Sequence, residues 1–248
     1  MSINLTYEFI VIIPAAGMGS RMQATLPKQY LNVMGQTILT HTVNALSKHP
    51  KLVKFIIAVS KNDSFIHQIP FCDKISIDVI EGGEERADSV LSGVSYAQKK
   101  YQPKWILVHD AARPLITKND VECLIDSLGS EAFYLTQSIG AILATPLKDT
   151  IKKISHLEHG IYTEKTEPRE KLWAAQTPQI FPTKTLLDAL YFCKKEGLSV
   201  TDEASAIELF GGRTFIVQGS SSNIKLTEPA DLEYIKFVLN KRLNQLPS

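Results

Sequence analysis

The stretch Phe9-Ile10-Val11-Ile12-Ile13-Pro14-Ala15-Ala16-Gly17-Met18-Gly19-Ser20-Arg21-Met22 decides the fold of this chain. Its first part, Phe9–Ala15, is an unbroken apolar run rich in Val and Ile, which suits a strand buried on both faces of a sheet. The small residues that follow let backbone N–H groups approach a phosphate chain closely. Further runs of this kind stand at Val53–Val59, Ile75–Ile80, Trp105–His109 and Ile139–Ala144. Between them, Thr37–His49 and Arg86–Lys100 have helical spacing, and the second puts Val90, Leu91, Val94 and Ala97 on one face. This strand-helix alternation predicts an α/β fold with a mainly parallel, helix-covered sheet, read as one Rossmann-like domain over residues 1–248. Thr227 is the expected N-cap of a last helix, with Pro229 in its first turn and Leu232, Ile235, Leu239 and Leu243 as its apolar stripe.

One segment interrupts the alternation. Thr150 to Lys171 is polar and charged, with a turn signal at His159-Gly160, and reads as a projecting arm or as a solvated insert.

Composition narrows the possible functions. The 248 residues are 44% hydrophobic and 21% charged, and no apolar run nears the roughly 20 residues that a membrane helix needs. The opening residues lack a basic region and a long apolar core, so export is not expected and the cytoplasm is the expected compartment. Lys and Arg total 27 against 26 Asp and Glu, a net charge of +1 that gives no general field for nucleic acid or anionic lipid. Any anion site is therefore local. Cys72, Cys123 and Cys193 stand far apart without metal-site spacing and are expected to be buried, reduced thiols.

The loop after the first strand is the strongest chemical signal. A dinucleotide fingerprint needs a third Gly at Met22, and a P-loop needs Gly-Lys-Ser/Thr after four intervening residues, so neither motif fits. Arg21, and Lys28 of Leu26-Pro27-Lys28-Gln29-Tyr30, place two cations at the carboxyl end of strand one, where open α/β sheets bind ligands. They read as a triphosphate clamp, against the simpler reading of a turn with two solvated cations. His109 ends an apolar strand and reads as a structural hydrogen-bonding residue. His156 and His159 lack further ligands at metal-site spacing.

The loop and its Pro-Lys-Gln continuation are joined by Gly82-Gly83-Glu84-Glu85-Arg86-Ala87-Asp88-Ser89-Val90, His109-Asp110-Ala111-Ala112-Arg113-Pro114, Gln176-Thr177-Pro178-Gln179, Thr201-Asp202-Glu203-Ala204 and Asn223-Ile224-Lys225. In these ordered blocks the chain resembles the 2-C-methyl-D-erythritol 4-phosphate cytidylyltransferase family of the non-mevalonate isoprenoid pathway, across nearly its whole length. The resemblance implies a nucleotidyltransferase that uses CTP, a polyol phosphate and Mg2+, with Arg21, Lys28 and Lys225 on the phosphates. It puts cytosine and ribose against Ala15, Ala16, Gly17 and Gly19 of the first loop and against Gly82, Gly83, Glu84 and Ser89, with Ala111 also on the nucleotide. Asp110 then faces the metal and the polyol, while Arg169 and Thr201 bind the acceptor phosphate. The arm of residues 150–171 is implied to cross to a partner in a homodimer.

General chemistry is compatible with these roles. A phosphate monoester is already anionic at pH 7, so positioning and charge stabilisation outweigh base catalysis. Magnesium accepts one carboxylate when phosphates and water supply its other ligands. The chain departs from the family at Glu84, where many members have Asp, and at Ser20, where some have a second Arg. Ribitol-5-phosphate cytidylyltransferase, a sugar-1-phosphate nucleotidyltransferase and a nucleotide-sensing module without turnover are the alternatives.

Overall fold

A computed structural model describes residues 8–17 and 26–244. Strands β1 (Phe9–Pro14), β2 (Asn32–Val33), β3 (Gln36–Thr37), β4 (Lys54–Val59), β5 (Ser76–Glu81) and β6 (Trp105–Val108) come first in the chain. They are followed by β7 (Gly140–Pro146), β8 (Ile151–Leu157), β9 (Gly160–Glu167), β10 (Trp173–Pro182) and β11 (Thr214–Gln218). Seven of them form one sheet in the order β11-β7-β10-β6-β1-β4-β5. β10 runs antiparallel to both its neighbours, and the other four pairings are parallel. The sheet is thus mainly parallel, as the apolar runs predict.

Period-two geometry explains the layering. Phe9, Val11 and Ile13 of β1 face one core, while Ile10 and Ile12 face the other. Helices α1 (Ile38–Leu46) and α3 (Lys118–Ser127) cover the first face through Leu39, Val43, Val121 and Leu124. Helix α2 (Arg86–Lys100) covers the second with Val90, Leu91, Val94 and Ala97. Beside it lie α5 (Thr183–Lys195) and α6 (Glu203–Leu209), with the short α4 (Glu131–Leu135) elsewhere in the chain. Burying each Ile or Leu of these faces contributes about 1.5–3 kcal/mol.

Some sequence expectations need correction. β5 is the sheet's edge, so its residues are only partly buried rather than enclosed on both faces. The last helix, α7, spans Pro229–Asn244 and is not capped by the Thr227 side chain, which donates to the Lys225 carbonyl. Asp231 instead accepts the Thr227 and Glu228 amides. Ile235 is buried and Leu232 and Leu239 pack beside it, but Leu243 is exposed. Cys193 is buried, whereas Cys72 and Cys123 are exposed.

The polar segment is ordered as an antiparallel hairpin, β8 with β9, forming a sheet of its own. It leaves Ile154, Leu157, Ile161 and Tyr162 exposed. No described helix is long and apolar enough to cross a membrane.

Gly140 shows how tightly β7 and β10 pack. A Cβ there would sit 2.2 Å from the Ile180 carbonyl oxygen and 2.2 Å from the Phe181 ring. Gly140→Ala is therefore expected to cost about 2–3 kcal/mol, read as a lower urea midpoint at unchanged slope. An unchanged midpoint would show that this contact relaxes without cost.

Candidate active site

The strand order reverses at β1: β4 and β5 extend the sheet to one side, and β6 then pairs on the other. Such a switch point opens a crevice at the carboxyl ends of the strands. Here it is a cavity of about 220 Å3, bounded by the loop after β1, the turn between β5 and α2, the loop after β6 and the segment before α7. Its lining includes Ala15, Ala16, Gly17, Lys28, Gly83, Glu84, Ser89, Asp110, Ala111 and Lys225. Residues from four distant blocks of the sequence therefore meet in one place. Gly19 and Arg21 lie outside the described residues.

Asp110 is the centre of this site. It is buried, and it faces Arg86 Nε at 2.9 Å, Lys225 Nζ at 2.9 Å and Arg113 Nε at 3.4 Å. Burial alone would raise its pKa, but the charges of Arg86, Lys225 and Arg113 hold it well below the usual carboxylate range. It is therefore ionised throughout the physiological pH range. Its backbone N–H donates to Thr177 Oγ1, and that hydroxyl also meets His109 Nδ1 at 3.0 Å. The other ring nitrogen of His109 meets the Arg113 carbonyl at 3.1 Å. Burial lowers the His109 pKa to about 4, so the ring is neutral and serves as a strut.

Lys28 reaches across the crevice, its ammonium donating to the Leu226 carbonyl at 2.9 Å. The adjoining Gln29 donates from Nε2 to the Ala15 carbonyl at 2.7 Å and to the Gly17 carbonyl at 3.3 Å, which fixes the start of the first loop. Gly82 and Gly83 have a different reason to be glycine. A Cβ at Gly82 would lie 2.6 Å from Ser89 Oγ and one at Gly83 2.2 Å from Asp88 Cβ, so the turn packs directly on the start of α2. Ser89 is buried, and its hydroxyl accepts the Gly83 N–H at 3.1 Å. The hydroxyl thus shapes the turn that offers backbone groups to a ligand. Glu84 is exposed on the rim.

Arg169 and Thr201 are not among the residues lining this cavity. Both are exposed, and the Arg169 guanidinium donates to the Lys148 carbonyl at the base of the hairpin. The sequence assigned no role to Arg86, Arg113, Glu203, Gln29 or Thr177, although each stands in a quoted block. Apart from the Arg113–Asp110 pair three residues apart, their partners are distant in sequence, and no local spacing marks such pairs.

Among the described residues, no group of three or more His, Cys, Asp or Glu side chains is placed to hold a metal. Asp110 is the carboxylate within the cavity that cations already surround. That donor set suits a magnesium ion carried in on a triphosphate, which brings most of its own oxygen ligands.

Comparison with known proteins identifies the family. The family model described as IspD, 2-C-methyl-D-erythritol 4-phosphate cytidylyltransferase, matches residues 9–241. The chain belongs to this family. As a cytidylyltransferase it is 44% identical over 241 residues to the Vibrio parahaemolyticus 2-C-methyl-D-erythritol 4-phosphate cytidylyltransferase, covering 97% of this chain and 99% of that protein. Over 235 residues it is 45% identical to the Alteromonas mediterranea protein of the same name, covering 95% and 94% of the two chains. The crystal structure of the Francisella tularensis family member superposes with a TM-score of 0.74 at 34% identity, over 92% of this chain and 98% of the other. The nucleotidyltransferase fold of the cytidylyltransferases thus extends over the crevice described above.

Proposed function

We propose that this cytidylyltransferase transfers CMP from CTP to the phosphate of 2-C-methyl-D-erythritol 4-phosphate, giving 4-diphosphocytidyl-2-C-methyl-D-erythritol and pyrophosphate. The observation that carries the reading is the gathering of Lys28 and Lys225 with Asp110 at the switch-point crevice. An acceptor phosphate oxygen forms a new bond to the α-phosphorus, and the bond from that phosphorus to the bridging oxygen of pyrophosphate breaks. No proton has to be removed from the attacking group. Lys28, Lys225 and Arg21 stabilise charge on the phosphate oxygens as the bond to pyrophosphate lengthens. Asp110 is the residue that would hold a magnesium ion, which would neutralise triphosphate charge when bound.

Ala15, Ala16, Gly17 and Gly19 hold the nucleotide on one side. Gly82, Gly83, Glu84, Ser89 and Ala111 bound it on the other. The arm from Thr150 to Lys171 crosses to a partner in a homodimer, where Arg169 grips the acceptor phosphate together with Thr201. The exposed apolar side chains of the hairpin support that docking. An enzyme drawing on CTP in this way works in the cytoplasm.

A nucleotide panel tests the base pocket and the metal together. Pyrophosphate release should be at least about a hundredfold faster with CTP than with ATP, because a pocket edge built for a pyrimidine leaves polar groups unpaired with the wrong base. Excess chelator should abolish release, and added magnesium should restore it. Equal rates with ATP and CTP, or full activity in chelator, would count against the respective assignment.

A further inference from the structure

Arg86 lines the phosphate crevice, yet its fork is already filled. Nη1 donates to Glu203 Oε1 at 2.7 Å and Nη2 to Glu203 Oε2 at 3.1 Å, while Nε donates to Asp110 Oδ1 at 2.9 Å. The Glu203 side chain is 1% exposed and that of Arg86 26% exposed, so the pair closes the back of the cavity. Glu203 is the first residue of α6, and that helix start is itself clamped. Gln179 of β10 donates to Asp202 at 2.8 Å and accepts the Ala204 N–H at 2.9 Å. The carboxylate is therefore delivered to Arg86 from a fixed position.

Arginine forks bind phosphate in the same two-pronged way that they bind carboxylate. An Arg86 without Glu203 would add a fourth cation, beside Lys28, Lys225 and Arg21, for the triphosphate and for pyrophosphate. Three cations, Arg86, Arg113 and Lys225, meet two carboxylates, Asp110 and Glu203, in this cluster. Loss of Glu203 would leave Asp110 alone against all three.

We propose that Glu203 is a positioning residue: by occupying both terminal nitrogens of Arg86 it withholds that guanidinium from the phosphates and fixes its Nε on Asp110. Asp110 Oδ2 then remains for Lys225 and Arg113. This division of labour rests on the cytidylyl-transfer reading above. It makes pyrophosphate a product the site can release, because Lys28, Lys225 and Arg21 meet it without the added fork of Arg86.

The test is calorimetric binding of inorganic pyrophosphate, with magnesium, to the whole protein, together with steady-state kinetics. Glu203→Gln should bind pyrophosphate about tenfold more tightly than wild type and show a lower kcat, without a higher KM for CTP. A residue that merely supported the fold would lower kcat by reducing the active fraction and leave pyrophosphate affinity unchanged. In the double variant Arg86→Gln/Glu203→Gln, the extra affinity should vanish, since the released fork is gone. Should Glu203→Gln fail to fold, Glu203→Asp retains the charge on a shorter stem and should show a smaller tightening in the same direction. Unchanged or weaker pyrophosphate binding in a folded Glu203 variant overturns the proposal, as does tight binding that persists in the double variant. If wild type turns over no CTP with the methylerythritol phosphate, the cytidylyl-transfer reading fails, and this inference fails with it.

Discussion

Lys28→Ala is expected to lower kcat by about a hundredfold to a thousandfold, the scale seen when a preorganised group that meets developing charge is removed. Its effect on stability should be far smaller. The ammonium donates to the Leu226 carbonyl, and such a bond is worth about 0.5–1.5 kcal/mol net. The contrast between the two effects is the diagnostic feature: a structural lysine would lose stability and activity together, whereas a phosphate-binding lysine loses turnover in a protein that melts almost normally. Saturating CTP should not rescue the variant, because the missing interaction belongs to the transition state. Near-wild-type turnover under saturation would remove Lys28 from the catalytic set.

Arg169 carries the second large effect. In one chain its guanidinium sits at the base of the hairpin and away from the cavity around Asp110. If the arm reaches a partner's crevice, Lys28→Ala and Arg169→Ala should each be inactive alone and complement one another once subunits are exchanged. A mixed dimer then has one site with both lesions and one with neither, so random pairing should restore roughly a quarter of the sites. Were Arg169 to serve its own chain, every site would keep one lesion and no activity would return despite proven exchange.

Much of this architecture was readable in the residues, and the physical reasons separate what was from what was not. β1, β4 and β6 are central strands enclosed on both faces, so they appear as continuous apolar runs. Helix α2 has the span predicted from its spacing, Arg86–Lys100. β10 left no such trace, because its pairing with β7 shifts between Ala175 and Gln179, across the polar Gln176-Thr177-Pro178. Proline has no N–H for the ladder, and the irregularity frees Thr177 to hold both His109 and Asp110. β11 is short and lies at the other edge of the sheet, and its apolar run of Phe215-Ile216-Val217 is too brief to mark a strand by itself.

The site divides along similar lines. Lys28, Asp110 and Lys225 stand in motifs dense enough to single out, and the fold brings them together. Arg86 and Glu203 are 117 residues apart, and their pairing exists only once α2 and α6 are laid on the same face of the sheet. Ser89, expected beside cytosine and ribose, lines the cavity and also holds the Gly83 amide. A hydroxyl's neighbours depend on three-dimensional packing that linear spacing does not encode. The cysteines make the same point: isolated spacing excludes a disulfide framework, but burial of Cys193 and exposure of Cys72 and Cys123 depend on which face each meets.

The most direct measurement is pyrophosphate release from CTP and magnesium with 2-C-methyl-D-erythritol 4-phosphate, run beside ribitol 5-phosphate and beside no acceptor, with the nucleotide product identified by mass. The expected result is release that requires the methylerythritol phosphate, stoichiometric formation of 4-diphosphocytidyl-2-C-methyl-D-erythritol, and a rate with ribitol 5-phosphate lower by about a hundredfold or more. Equal or faster release with ribitol 5-phosphate, or release that ignores the acceptor, would contradict the proposed reaction.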